Sequence, residues 1–310
     1  MEKETVILVD AYGQIYRNYH AMGSLSDSQG RPTGALFGMA KFLMLMEKDL
    51  PSSRGAFVFD LGRSVKRTAI HPEYKANRPP MPDDLKSQIG PVKDLVSLFG
   101  WPRLEEEGFE ADDIIAAAAL RLSDYPFRIV SHDKDMSQIV SSRVKMLSPD
   151  KKSGGLAETG PAEVMEKFSV APEFIPTYLA LVGDNSDNIP GVDGVGPKTA
   201  AKLIAELGPA DSIIERADKI SNPKLAEKIK NSAALLRKNM ELVTLGADSA
   251  PPGKFSDISL FNREKPRWAD IQEFCVSFNM KSLAADAGAR AAGPAPETPA
   301  KPEFHTPDLF

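Results

Sequence analysis

The chain has 310 residues, 42 % hydrophobic and 26 % charged, which is enough apolar side chain for one large domain or two modest ones and excludes wholesale disorder. Its single cysteine, Cys275, excludes a disulfide framework and a cysteine-ligated zinc site. No apolar run nears the roughly 20 residues of a membrane span and residues 1–5 make no secretory signal, so a cytoplasmic protein without membrane contact is expected.

The first half alternates strands and helices. Residues 6–9 form a short apolar strand that runs into Asp10, and 34–48 carry apolar residues at helical spacing. A second strand, 56–59, runs into Asp60; helix 83–99 follows the proline cluster 79–82 and stops at Gly100. Helix 110–123 is rich in alanine, and a third strand, 127–130, leads to Ser131-His132-Asp133. Such alternation predicts an α/β core with a mainly parallel central sheet and helices on both faces. After residue 161 the strands thin out. Helical patterns at 162–168, 172–182, 198–207, 224–231, 233–243 and 268–278 predict a compact helical region. From Ala284 onward alanine, glycine and proline dominate, which reads as a flexible tail over 284–310.

All three predicted strands end at an aspartate. Ligands of an open parallel sheet bind outside the carboxyl ends of its strands, so Asp10, Asp60 and Asp133 are expected to converge. Glu110-Ala111-Asp112-Asp113 opens an apolar helix, Asp135 follows Asp133, and Asp184 and Asp187 lie in a loop after another apolar helix. Each group has an ordinary structural explanation: helix capping, compensation of the macrodipole, turn formation. As a set of nine they demand more. Two carboxylates about 4 Å apart repel by roughly 4 kcal/mol at an effective dielectric of 20, so a convergent set needs cations. Oxygen ligands without a His/Cys set select Mg²⁺ or Mn²⁺, and two such ions can clamp the attacking and leaving oxygens of phosphodiester hydrolysis. The net charge of −5 comes from 38 basic and 43 acidic residues. The 34 acids outside the cluster are outnumbered by the bases, so the remaining surface suits a polyanion.

Between the second strand and the proline cluster lie Arg63, Lys66, Arg67, Tyr74, Lys75 and Arg78. They are either a solvated charged face or a clamp above the acids, with Lys75 and Arg78 on the scissile phosphate, Arg67 on a neighbouring phosphate and Tyr74 stacked on a base. Further on, Gly191-Val192-Asp193-Gly194-Val195-Gly196-Pro197-Lys198-Thr199 precedes an alanine-rich helix. Pro197 breaks the Gly-Lys-Thr signature of an NTPase loop and no strand comes before it. The segment reads instead as a helix–turn–helix hairpin in which Gly191, Gly194 and Gly196 let backbone N–H groups approach a DNA phosphate, with Lys198, Thr199 and Lys202 beside them. A plain αα-corner is the alternative.

These residues, taken in order, resemble the 5′-nuclease domain of bacterial DNA polymerase I and its flap endonuclease relatives. Ile7-Leu8-Val9-Asp10, Val58-Phe59-Asp60, the stretch from His71 to Pro82, Glu110-Ala111-Asp112-Asp113, Asp133-Lys134-Asp135 and the loop from Gly183 to Gly191 carry the resemblance, which spans about residues 5–283. It implies a PIN-like nuclease core over 1–168 with a helical arch at about 62–90, and a helical DNA-binding region over 169–283 with the glycine hairpin at about 183–208. It also implies a metal-dependent phosphodiesterase that cuts branched or 5′-flapped DNA in replication and repair. Asp10, Asp60, Glu110 and Asp112 would serve one ion, and Asp133, Asp135, Asp184 and Asp187 the second, with Asp113 supporting both. The hairpin would grip duplex DNA, in some relatives with K⁺. No polymerase sequence follows, so the resemblance is to a stand-alone, nucleoid-associated form.

Three residues depart from the family pattern: Ala11 stands for the usual glycine, and Ser131-His132 for the usual Thr-Gly. The terminus Asp308-Leu309-Phe310 resembles peptides that dock in the sliding clamp, although the expected preceding glutamine is missing. Two further readings stand beside the nuclease: a branched-DNA binder disabled near His132, and an enzyme acting mainly on RNA–DNA hybrids.

Overall fold

The computed structural model describes residues 3–149 and 156–293. The N-terminal part runs β1 (Val6–Asp10), α1 (Ala11–Met22), α2 (Gly34–Asp49), β2 (Gly55–Val58), α3 (Val65–Ile70), α4 (Asp83–Leu98), β3 (Arg103–Leu104), α5 (Ala111–Arg121) and β4 (Phe127–Val130). It closes with the hairpin β5 (Val144–Pro149) and β6 (Leu156–Thr159), then α6 (Pro161–Phe168). These strands form one sheet in the order β3-β2-β1-β4-β5-β6, parallel throughout except for the antiparallel edge strand β6. The predicted α/β core is present. It has six strands rather than three: the two-residue β3 and the antiparallel β6 form the edges, and β5 lies between β4 and β6.

Side chains alternate across the pleat of β1: Val6 and Leu8 belong to the apolar cluster on one face, Ile7 and Val9 to that on the other. Both faces are therefore covered, which explains why these strands read as continuous apolar runs. The chain leaves β1 for β2 on one side and returns to β4 on the other. That reversal puts the topological switch point at the carboxyl end of β1, flanked by the ends of β2 and β4.

The C-terminal part is helical: α7 (Ile175–Val182), a two-stranded ladder of β7 (Gly183–Asp184) and β8 (Ile189–Pro190), α8 (Pro197–Leu207), α9 (Ala210–Glu215), α10 (Pro223–Asn231), α11 (Ala233–Val243), α12 (Trp268–Ser277) and α13 (Lys281–Ala291). The expectation of a tail from Ala284 is corrected over its first part. Helix α13 runs to Ala291, with Leu283, Ala284 and Ala287 buried. Alanine is the strongest helix former, and here the small side chains form the packing face: a Cβ at Gly288 would come 2.7 Å from Gln272 Nε2 on α12. The terminus Asp308-Leu309-Phe310 lies outside the described residues. No helix among the described residues is long and apolar enough to cross a membrane.

Candidate metal and phosphate centre

Asp10 ends β1 and caps α1, accepting from Gly13 N–H at 2.9 Å; its other oxygen accepts from Ser131 Oγ at 3.1 Å. Asp60, two residues beyond β2, accepts from the Ala111 N–H at 2.7 Å, so it caps the start of α5 from another strand. Glu110 is the N-cap residue of α5. Asp133 follows β4 and accepts from Asp135 N–H at 2.9 Å. With Asp112 they line one open cleft of about 670 Å³ at the carboxyl ends of β1, β2 and β4. Glu110, Asp112 and Asp113 each bring an oxygen within 4.8 Å of the others.

The remaining acids border this cleft. Asp187 lies beside Glu110, with the Tyr74 hydroxyl between them, 2.9 Å from Glu110 Oε2 and 3.1 Å from Asp187 Oδ2. Asp184 is joined to Lys134, a cleft residue, at 3.0 Å. Asp135 is buried, and its Oδ1 has no hydrogen-bond partner among the described residues.

Crowding shows in the proton affinities. Burial pushes the Asp60 carboxyl up to about 7, and Asp10 and Asp112 add to the shift. Asp10 is raised mainly by burial, against the Gly13 and Ser131 hydrogen bonds. Asp133 opens on solvent but is enclosed on its other sides, and desolvation with Asp112, Asp10 and Asp187 raises it to about 6. Asp135 rises through burial and the nearby Asp133, Asp184 and Asp187. At Asp184 burial acts upward, but Ser186 and Lys134 outweigh it and hold the carboxyl low.

Four cations offset part of this charge. Lys75 Nζ donates to Glu110 Oε1 at 2.7 Å and lies 3.8 Å from Asp187. Arg78 pairs with Asp187 at 2.5 Å, and Lys134 with Asp184. Both Lys75 and Arg78 line the cleft.

The fourth cation, Arg67, is placed differently. It is 5 % exposed and forks onto Asp113, Nη2 to Oδ1 at 2.8 Å and Nη1 to Oδ2 at 2.9 Å, while also reaching Glu110 at 2.7 Å and Leu242 O at 2.9 Å. The expectation that it holds a neighbouring phosphate is corrected: the side chain is buried, and Nε, Nη1 and Nη2 are each bonded inside the protein. Asp113 is correspondingly committed, since Oδ2 also accepts from Glu110 N–H at 3.2 Å. It positions the start of α5, and a metal ion would have to displace Arg67 to reach it. Tyr74 is corrected too. At 1 % exposure its ring belongs to the core and has no face open to a base; burial first, then Glu110 and Asp187, raise its hydroxyl's proton affinity.

Sequence reasoning missed the aromatic side of the cleft. Tyr12 and Tyr16 lie one turn apart on α1, and with Met81 they line it. Their i, i+4 spacing after Asp10 was the available signal. His132 is exposed at the rim, with a ring nitrogen against Arg17, and Ala11 is buried as the first residue of α1.

In the hairpin between α7 and α8 the glycines divide. A Cβ at Gly183 would meet Gly191 N at 2.4 Å, and one at Gly191 would meet Val182 O at 2.2 Å. Gly191 therefore closes the neck of the acidic loop instead of facing a phosphate. Gly194, at φ +77°, and Gly196 are exposed, as are Lys198 and Lys202, with Thr199 half-buried.

Residues 5–169 match the model of the 5′-3′ exonuclease N-terminal resolvase-like domain, and residues 170–266 that of the 5′-3′ exonuclease C-terminal SAM fold. The chain belongs to the 5′-3′ exonuclease family. Its relatives include a 5′-3′ exonuclease of Aquifex aeolicus, 40 % identical over 70 % of this chain and 74 % of that one. Another is the thermostable DNA polymerase I of Thermus thermophilus, 35 % identical over 97 % of this chain and 35 % of the polymerase. The chain thus spans about a third of that polymerase's length. Among solved structures, T5 5′-exonuclease with bound zinc superposes with a TM-score of 0.66 at 22 % identity, covering 91 % of this chain and 99 % of that chain. The catalytic core of Rad2 in complex with DNA substrate gives 0.63 at 16 % identity, covering 93 % and 92 %. At those identities the likeness is one of fold: this family member shares their sheet and flanking helices.

Proposed function

We propose that the chain is a structure-specific 5′-nuclease that hydrolyses phosphodiesters of branched or 5′-flapped DNA, with two Mg²⁺ or Mn²⁺ ions held by the cleft carboxylates. The observation that carries the reading is the convergence of Asp10, Asp60, Glu110, Asp112 and Asp133 with Lys75 and Arg78 on one open cleft. The donor set fits hard divalent cations: all ligands are oxygens, and among the described residues nine acids face four paired cations and buried Asp135 keeps an oxygen without a donor. Asp10, Asp60, Glu110 and Asp112 would hold one ion, and Asp133, Asp135, Asp184 and Asp187 the other. When bound, such ions supply a water activated at neutral pH and stabilise charge on the attacking and leaving oxygens.

The chain's own residues complete the chemistry. Lys75 and Arg78 lie where a phosphate entering the cleft would draw them from Glu110 and Asp187 and gain their charge on its non-bridging oxygens. Tyr12, Tyr16 and Met81 offer the apolar wall for the adjoining base or sugar. The exposed N–H groups about Gly194 and Gly196, with Lys198, Thr199 and Lys202, suit the phosphates of flanking duplex, with K⁺ as a further ion at that turn. A sliding-clamp contact through Asp308, Leu309 and Phe310 rests on sequence alone.

The test is cleavage of end-labelled 5′-flap DNA. Cutting should require Mg²⁺, stop in EDTA and fall by about 10²-fold or more in Asp60→Asn, the order expected when transition-state charge stabilisation is lost. Binding without cutting would establish the non-catalytic DNA binder, and faster cutting of an RNA flap the hybrid-directed enzyme.

Gly13→Ala separates ligand placement from ligand identity. Its methyl group would stand 2.5 Å from Asp10 Oδ2, so the carboxylate must move although α1 favours alanine. Cleavage should fall by roughly 10²-fold, the order of a misplacement of about 1 Å, with the circular dichroism spectrum unchanged. Full activity would show that Asp10 tolerates the shift.

A further inference from the structure

The strap that carries Lys75 and Arg78 has no helix of its own between α3 and α4, and it is fastened along its length to the loop that carries Asp184 and Asp187. Lys75 N–H donates to Asp187 O at 3.0 Å. Asn77 Nδ2 donates to Asn185 O at 2.6 Å, Arg78 Nε to Ser186 O at 3.3 Å and Asn188 Nδ2 to Glu73 O at 2.8 Å. His71 Nε2 lies 2.8 Å from Asn188 O. A carbonyl only accepts, so the imidazole carries its proton on Nε2, and Nδ1 accepts from Lys238 Nζ of α11 at 3.2 Å. Lys75 and Asn188 face one another across this seam, each with positive φ, +54° and +58°.

We propose that Asn188 and His71 are positioning residues: they clasp the strap to the acidic loop, and the clasp sets where the Lys75 and Arg78 head groups stand. Asn188 holds both ends of it, since its side chain donates to Glu73 and its carbonyl accepts from His71. Asparagine suits the place because it tolerates the left-handed conformation and still offers an amide donor. The loop itself is anchored at its neck by the mutual approach of Gly183 and Gly191. Lys75 and Arg78 are separated from the regular elements by several residues on either side; buried Tyr74 anchors the strap to the core, and the seam ties the backbone beyond it to the acidic loop. The kinetic consequence rests on the nuclease reading; the docking itself does not.

Asn188→Gly removes only the side-chain donor and keeps the backbone conformation available. His71→Ala removes the other arm, and His71→Gln restores a donor for Asn188 O and an acceptor for Lys238. Hydrogen exchange of the full chain without DNA should speed up in Asn188→Gly and His71→Ala within residues 71–78 and 184–188 and stay unchanged in the sheet. Cleavage of 5′-flap DNA with Mg²⁺ should show kcat lowered about 10- to 100-fold, as for a modest misplacement of catalytic groups, with KM little changed and with both readouts restored in His71→Gln. Unchanged exchange in the strap, or a kcat within about twofold of wild type once the strap has opened, overturns the proposal. If the wild-type chain cuts no DNA, the nuclease reading falls, and the exchange arm still decides whether the clasp exists.

Discussion

Arg67→Ala is expected to destabilise the protein by about 3–5 kcal/mol, the cost of removing one partner from a buried charge network. The guanidinium is the only cation that reaches Asp113 among the described residues, and it also pairs with Glu110 and lies 3.5 Å from Asp112. Without it, two nearly buried carboxylates would face each other at the start of α5, and the Leu242 carbonyl would lose its donor from Arg67. At roughly 2–4 °C per kcal/mol for a chain of this size the melting temperature should fall by about 6–20 °C. Arg67→Lys should recover only part of the loss, because an ammonium group cannot make the parallel pair of bonds to Asp113 while also reaching Glu110 and Leu242. Thermal or urea unfolding checks this. A melting temperature within about 2 °C of wild type, together with a shallower salt dependence of DNA binding, would return Arg67 to the role of phosphate contact.

Arg67 also shows where the sequence stops speaking. The strands that end in Asp10, Asp60 and Asp133 were legible because burial on both faces leaves uninterrupted apolar runs, and parallel order brings their ends to one edge. Which cations face inward was not legible, since it depends on partners far along the chain: Arg67 meets Asp113 across 46 residues and Tyr74 meets Asp187 across 113. A tyrosine beside lysine and arginine reads as surface until the fold closes over it. Helix α1 was missed for a different reason. Gly13, Asn18 and three tyrosines give it weak intrinsic preference, and it is held by the Asp10 cap and by close packing on α2, where a Cβ at Gly38 would sit 2.7 Å from Asn18. Helix α13 fails in reverse: its alanines and Gly288 have the composition of a linker, yet they are the means of close approach to α12.

In metal-free solution the protein should lose stability as pH rises from about 4 to about 7, and Mg²⁺ should return it chiefly at the upper end. Asp60, raised to about 7, and Asp133, raised to about 6, bind protons in the folded state that the unfolded chain releases near pH 4. Where the folded state holds more protons, unfolding free energy falls with pH. The contribution of these groups is therefore complete below the unfolded value and lost as pH climbs through the folded one. At about 1.4 kcal/mol per pKa unit, Asp60 alone supplies up to roughly 4 kcal/mol of this slope. Asp184, held low by Ser186 and Lys134, acts in the opposite sense at more acidic pH. A divalent cation replaces those protons. Its stabilisation grows with the logarithm of concentration over Kd, about 2.7 kcal/mol per site at a hundredfold excess, and proton competition weakens it near pH 5.5. Melting curves in EDTA and in Mg²⁺ between pH 5.5 and 8 should diverge as pH rises. Asp60→Asn provides the internal control: an amide keeps an acceptor for the Ala111 N–H without the charge, so the metal-free variant should melt higher than wild type at pH 8 and gain less from Mg²⁺. Equal melting temperatures for the two proteins at pH 8, with and without the ion, would mean that the Asp60 charge is not what divalent cations relieve.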